Sequence, residues 1–134
     1  MEKLTNIFDR DPMLIYDLID RGVDVNLTAY RRVTFLMYVV KRSDDAKLVK
    51  ALIATGANVH ARNLFGRTPL MISAKNKDAP EVIKVLLEAG SDANAVDDYG
   101  NTAIKYAEMY CRCGKCRIQL EVASKNNCIN FNSI

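Results

Sequence analysis

Long apolar runs are missing from this chain, and so is almost all histidine. No stretch approaches the roughly 18 consecutive apolar residues of a membrane-spanning helix, so no span is expected. The opening residues, MEKLTNIFDRDP, hold no apolar core of the secretory kind, so no signal peptide is expected either. Four cysteines, three of them between positions 111 and 116, are too few and too clustered for a secreted disulfide framework. The expected setting is therefore reducing and intracellular: the cytoplasm, of a host cell if the source is a pathogen or virus. The single histidine, His60, has no cysteine or acidic residue beside it. No nucleophile–base–acid set is visible, and no glycine pattern suits a phosphate. Neither an enzyme nor a cofactor is expected.

What is present fits one domain. The chain has 134 residues, 49% hydrophobic and 26% charged, which is an ordinary globular balance. Its net charge of +3 is unevenly spread: −3 over residues 1–30, +6 over 31–67, −3 over 68–100 and +3 over 101–134.

A repeat organises the sequence. GVDVN at 22, GANVH at 56 and GSDAN at 90 recur at a step of 34 residues, and RRVTFLM at 31, FGRTPLM at 65 and YGNTAIK at 99 keep the same step. Thr34, Thr68 and Thr102 stand in register. Leu14, Ile15, Leu18 and Ile19 form an apolar stripe that returns as Leu48, Val49, Leu52 and Ile53, and again as Val82, Ile83, Leu86 and Leu87. That spacing is one face of a helix. Each such helix is too short to stand alone, so the stripes must stack into a common core. Thr68-Pro69-Leu70 has the order of cap, first helical residue and first buried residue, and Asp11-Pro12 offers a similar start. Gly22, Gly56 and Gly90 stand where a helix C-terminus wants glycine, and Gly66 and Gly100 suit turns with positive φ. The predicted unit is turn, helix, short turn, helix, loop.

GRTPLMISA at 66–74 and EVIKVLLEAGSDANAVDDYGNTAIKYA at 81–107 resemble the ankyrin repeat family. The resemblance implies an all-α solenoid of paired antiparallel helices with short β-hairpin or turn fingers. It implies a single domain, 1–134, in four units: an N-terminal cap 1–30, then 31–64 and 65–98, and a C-terminal cap 99–134. The first helix is expected at about residues 3 to 9. Met37, Met71 and Lys105 stand where the family has histidine, and Arg32 replaces the turn glycine of the second unit.

In this family the fingers and first helices line a concave groove that binds protein partners. Transferred here, the fingertips are Tyr30-Arg31, Leu64-Phe65 and Asp98-Tyr99, with Arg62 and Arg67 beside the second. Tyrosine, phenylalanine and arginine are common interface anchors. The inner helices add Lys41, Arg42, Lys75 and Lys77, so a partner protein with an acidic segment is expected on a monomeric chain. Two other readings stay open: a nucleic acid on the basic groove, and a zinc or redox role for Cys111, Cys113, Cys116 and distant Cys128. The overall charge is low for the first, and the cysteine spacing matches no established zinc pattern for the second. No metal is expected.

Overall fold

The computed structural model describes residues 17, 20–22, 24–28, 30–42, 45–75, 80–111 and 114–132, with backbone only for residue 30 and residues 126–132. The Asp11-Pro12 start, the helix expected near residues 3 to 9, the first apolar stripe, Lys77 and Cys113 lie outside the described residues.

Six helices are described: α1 (Phe35–Arg42), α2 (Ala46–Ala54), α3 (Pro69–Lys75), α4 (Pro80–Glu88), α5 (Ala103–Tyr110) and α6 (Lys115–Asn132). They pair as α1 with α2, α3 with α4 and α5 with α6. They also form two rows, α1–α3–α5 and α2–α4–α6, each helix packing on its equivalent in the next unit. The architecture is an all-α repeat stack.

The in-register threonines start the first-row helices. Oγ1 of Thr34, Thr68 and Thr102 accepts the backbone N–H of Met37, Met71 and Lys105 at 3.2, 3.4 and 3.3 Å, satisfying one orphan donor at each helix start. Asp45 caps α2, accepting from Lys47 and Leu48. The second-row helices end in a shared way. Ala57 N–H donates to Leu52 O and Gly56 N–H to Ile53 O, and Ser91 and Gly90 repeat both bonds to Leu86 and Leu87. This motif needs a left-handed residue, supplied by Gly56 (φ 101°) and Gly90 (φ 97°).

The core follows the repeat step. Leu48, Val82 and Cys116 are buried at one register position and Leu52, Leu86 and Leu120 at the next. Burying each aliphatic contributes about 1.5–3 kcal/mol before entropy. A second column changes character at the last unit. Val49 and Ile83 are fully buried between units, but the third position of that column is exposed Arg117. Ile53 and Leu87 give way to Glu121, and Arg117 pairs with Glu121 at 3.6 Å. Val40 and Ala74, both buried, give way to exposed Glu108. These positions, which receive a neighbour in the earlier units, thus carry charged residues in the last described unit, while Ile118 and Val122 of α6 are exposed beside them.

Of the hairpin or turn fingers expected, the described ones are turns. Among the described residues there is no β-strand, only one isolated antiparallel bridge between Thr28 and Thr34. A four-residue tip leaves no length for a ladder, so the fingers are turns closed by side chains.

Candidate partner-binding face

Each of the two later fingers is folded around one side-chain acceptor. Asn63 Oδ1 takes the N–H groups of Phe65 (2.9 Å) and Arg67 (3.0 Å). Asp97, one step on, takes those of Tyr99 and Asn101, both at 2.9 Å. Backbone bonds Asn63 N–H to Arg67 O and Gly66 N–H to Asn63 O close the second finger, and the third repeats them. Successive fingers are joined by Leu64 N–H donating to Arg31 O (2.9 Å) and Asp98 N–H to Phe65 O (3.0 Å). Arg62 staples the same junction, its Nη1 donating to Gly66 O (3.0 Å) and to Val96 O (2.6 Å) of the following unit.

Beneath the fingers lies a buried ionic cluster. The Asp97 side chain has no solvent exposure. The Tyr106 hydroxyl donates to its Oδ2, and Arg67 Nε stands 3.7 Å from the same oxygen. Arg67 Nε also donates to the Tyr106 hydroxyl at 3.2 Å. Burial pushes the Asp97 pKa up, but the Tyr106 hydroxyl, the N–H groups of Asn101 and Tyr99 and the Arg67 cation together hold it below the ordinary aspartate value. The Arg67 guanidinium also stacks among rings, 5.3 Å from the Phe65 centroid, 5.8 Å from Tyr99 and 5.6 Å from Tyr106. Between α1 and α3 a cleft of about 230 Å³ opens, lined by Lys41, Arg67, Lys75 and Asn63 over Val33, Met37 and Ile72. Partial burial lowers the Lys75 pKa, and Arg67 and Lys41 lower it further against the opposing pull of Asp97.

A family model for ankyrin repeats in many copies matches residues 52–107, and a single ankyrin repeat matches 33–64. The chain belongs to the ankyrin repeat family. Ankyrin repeats are generally protein–protein interaction modules and are typically non-enzymatic. No curated protein matches the sequence.

The ankyrin fold distributes the sequence candidates unevenly. Leu64 and Tyr99 are exposed, at 54% and 64%. Phe65 is half-buried, its ring 6.3 Å from that of Tyr99 and under the Arg31 guanidinium at 5.7 Å, so it folds against its neighbouring finger. Asp98 is exposed over Gly66. Lys41, Arg67 and Lys75 meet in the cleft, and Arg42 lies over the Tyr38 ring instead. Arg62 holds two carbonyls of the scaffold. Of Tyr30, only the backbone is described, in a 3₁₀ turn with Arg31 and Arg32. Sequence reasoning passed over Asn63, Asp97 and Tyr106. The first two are a pair of Asx residues 34 apart and two residues before an aromatic, a signal that was readable.

Asn26 joins adjacent loops, its Nδ2 donating to Gly56 O (3.0 Å) and its Oδ1 accepting from Asn58 N–H (2.8 Å). The backbone N–H of His60 donates to Asn58 Oδ1, and its side chain stands exposed on that loop. Cys111 caps α5, and Cys116 is a buried core thiol of α6; neither is in a disulfide. Among the described residues no group of three or more metal-ligating side chains converges, and no helix is long and apolar enough to cross a membrane.

Proposed function

We propose that this ankyrin chain is a non-enzymatic binding module that grips a partner protein on the face shared by its fingers and first-row helices. The observation that carries this reading is the meeting of exposed tips with a basic cleft. Leu64 and Tyr99 offer apolar and aromatic area on a rigid base, and Lys41, Arg67 and Lys75 lie below them. Rigid anchors lose little entropy when a partner docks, and clustered cations steer an acidic one toward them. The module acts as a monomer in the cytoplasm in this proposal.

The test is affinity capture from the native lysate with nuclease present, comparing wild type with a Leu64→Ser, Tyr99→Ala double variant whose helicity and melting temperature match wild type. A protein held by wild type, lost by the variant and weakened by raised salt supports the proposal. A protein held equally by both moves the site off this face. Capture that disappears on nuclease treatment assigns the face to nucleic acid.

A further inference from the structure

The first-row helices present one slot three times, and its chemistry changes along the stack. Lys41, Lys75 and Met109 occupy equivalent positions in the last turns of α1, α3 and α5, 34 residues apart. Val33, Arg67 and Asn101 occupy equivalent positions where each finger leads into its helix. Between α1 and α3 the cleft is lined by Lys41, Arg67 and Lys75, with the buried Asp97 carboxylate beside Arg67. One unit further the lysine becomes Met109, which is 54% exposed, with exposed Tyr110 beside it. The Lys75 wall of the basic cleft and the exposed Met109 therefore lie one repeat apart in the same helix row.

That separation can be stated in residues of a ligand. Packed helices lie about 8–10 Å apart. A peptide extended in the polyproline II conformation advances about 3.1 Å per residue with three residues per turn, so residues i and i+3 fall on the same side, about 9 Å apart, and match one helix spacing. Resting on the binding-module reading above, we infer that this face recognises an extended peptide segment of the partner, with one carboxylate side chain among Lys41, Arg67 and Lys75 and one large apolar side chain three residues away against Met109. The cleft floor of Val33, Met37 and Ile72 covers the methylenes while the cations meet the carboxylate. The depressed pKa of Lys75 shows that its positive charge is disfavoured there by burial and by neighbouring cations. A bound carboxylate reverses that balance.

The probes are blocked synthetic hexapeptides of otherwise small polar residues carrying Glu-x-x-Phe or Phe-x-x-Glu, titrated into the isotope-labelled full chain and followed by amide shifts. Controls replace Glu by Gln, replace Phe by Ser, or shorten the spacing to Glu-Phe. The expected result is that one of the two orders binds, with shifts centred on residues 33–41, 67–75 and 105–110. Glu→Gln should weaken it at least fivefold, and the shortened spacing should do likewise. Lys75→Gln should cost a similar factor, Met109→Ser should remove the preference for Phe, and the Lys75 side chain should titrate at higher pH in the complex than alone. Both substituted side chains are exposed, and matching melting temperatures exclude misfolding. Absence of binding by every peptide, indifference to Gln or to spacing, or shifts elsewhere would overturn the inference. So would equal shifts at these amides with a mixed-sequence single-stranded oligonucleotide. If the peptides fail while a lysate protein is still captured through Leu64 and Tyr99, this inference falls and the binding-module proposal stands.

Discussion

The finger at residues 30–33 and the fingers at 64–67 and 98–101 fill the same slot of the repeat but hold their shape by different means. The later two have a side-chain acceptor, Asn63 or Asp97, that gathers two backbone N–H groups, and a glycine that takes positive φ, 75° at Gly66 and 78° at Gly100. The earlier finger has Ala29 at the acceptor position and Arg32 at the glycine position. Its backbone still turns left-handed, with φ of 61° at Arg31 and 59° at Arg32. Arg31 O still receives Leu64 N–H, as Phe65 O receives Asp98 N–H. Local turn chemistry is thus sufficient in two fingers and absent in the third. Among the described residues, the bridge from Thr28 to Thr34 and the bond to the finger that follows help keep the first in register.

The largest expected effect comes from removing the acceptor that the first finger lacks. Asp97→Ala leaves two N–H groups, a tyrosine hydroxyl and the Arg67 cation without their common partner. Orphaned buried donors cost about 1–3 kcal/mol each, partly relieved here by water, so about 3 kcal/mol of stability should be lost. Asp97→Asn keeps the arrangement seen at Asn63 and should lose about half of that. Chemical denaturation of both variants checks the pair. Equal losses would mean that the charge matters and the acceptor geometry does not, which would undo the equivalence drawn between the two fingers.

Next in size is the glycine comparison. A Cβ on Gly66 would stand 2.5 Å from Asp98 Oδ1 and 3.0 Å from Asp98 N, because the finger-to-finger bond brings that backbone close. On Gly100 it would meet nothing within 4 Å. Left-handed backbone alone costs a non-glycine residue about 1–2 kcal/mol. Gly100→Ala should therefore destabilise by about 1 kcal/mol, and Gly66→Ala by about 2 or more through the added clash. Thermal melts of the two alanine variants decide whether contact with the next finger, and not φ alone, distinguishes them.

Acidification probes the same cluster less severely. The Asp97 pKa is depressed in the folded chain, so over the range between its folded and unfolded values the unfolded chain binds more protons. Its contribution is complete above the unfolded aspartate value of about 3.9 and fades as pH falls through the folded value. Wild type should lose stability faster than Asp97→Asn below about pH 4, while the difference between them stays level from pH 5 to 7. Urea midpoints across pH 3 to 7 measure this. A difference that already changes near pH 6 would point to another group.

How much of this was legible beforehand follows from where each interaction closes. The helices were readable because their apolar stripes, threonine caps and terminal glycines lie within one unit, and Thr34, Thr68, Gly56 and Gly90 do what their spacing implied. The candidate face was readable only in part. Arg67 looked like an outward cation because its counterparts are distant in sequence, Asp97 at the far end of the same unit and Tyr106 in the next, 30 and 39 residues away. Phe65 looked like an unused tip for the same reason, since Tyr99 and Arg31 belong to neighbouring fingers. Residue type marks a finger, but contact between fingers decides which of its side chains faces outward. Of the two finger forms that the family pattern allows, the later fingers are turns, because Asn63 and Asp97 close the chain before a ladder can form.

The smallest effect is the sharpest test of the opening contrast. If the first finger is held left-handed by its neighbours against its own preference, Arg32→Gly should relieve strain. The relief of about 1–2 kcal/mol is offset by the greater freedom that glycine gives the unfolded chain, about 0.5–1 kcal/mol. The net expectation is a gain of about 0.5 kcal/mol, opposite in sign to Gly66→Ala and Gly100→Ala. Differential scanning calorimetry on the three variants places them on one scale. A loss of stability in Arg32→Gly would show that the arginine side chain contributes more than its backbone costs, and the first finger would then be a differently built turn rather than a strained copy of the other two.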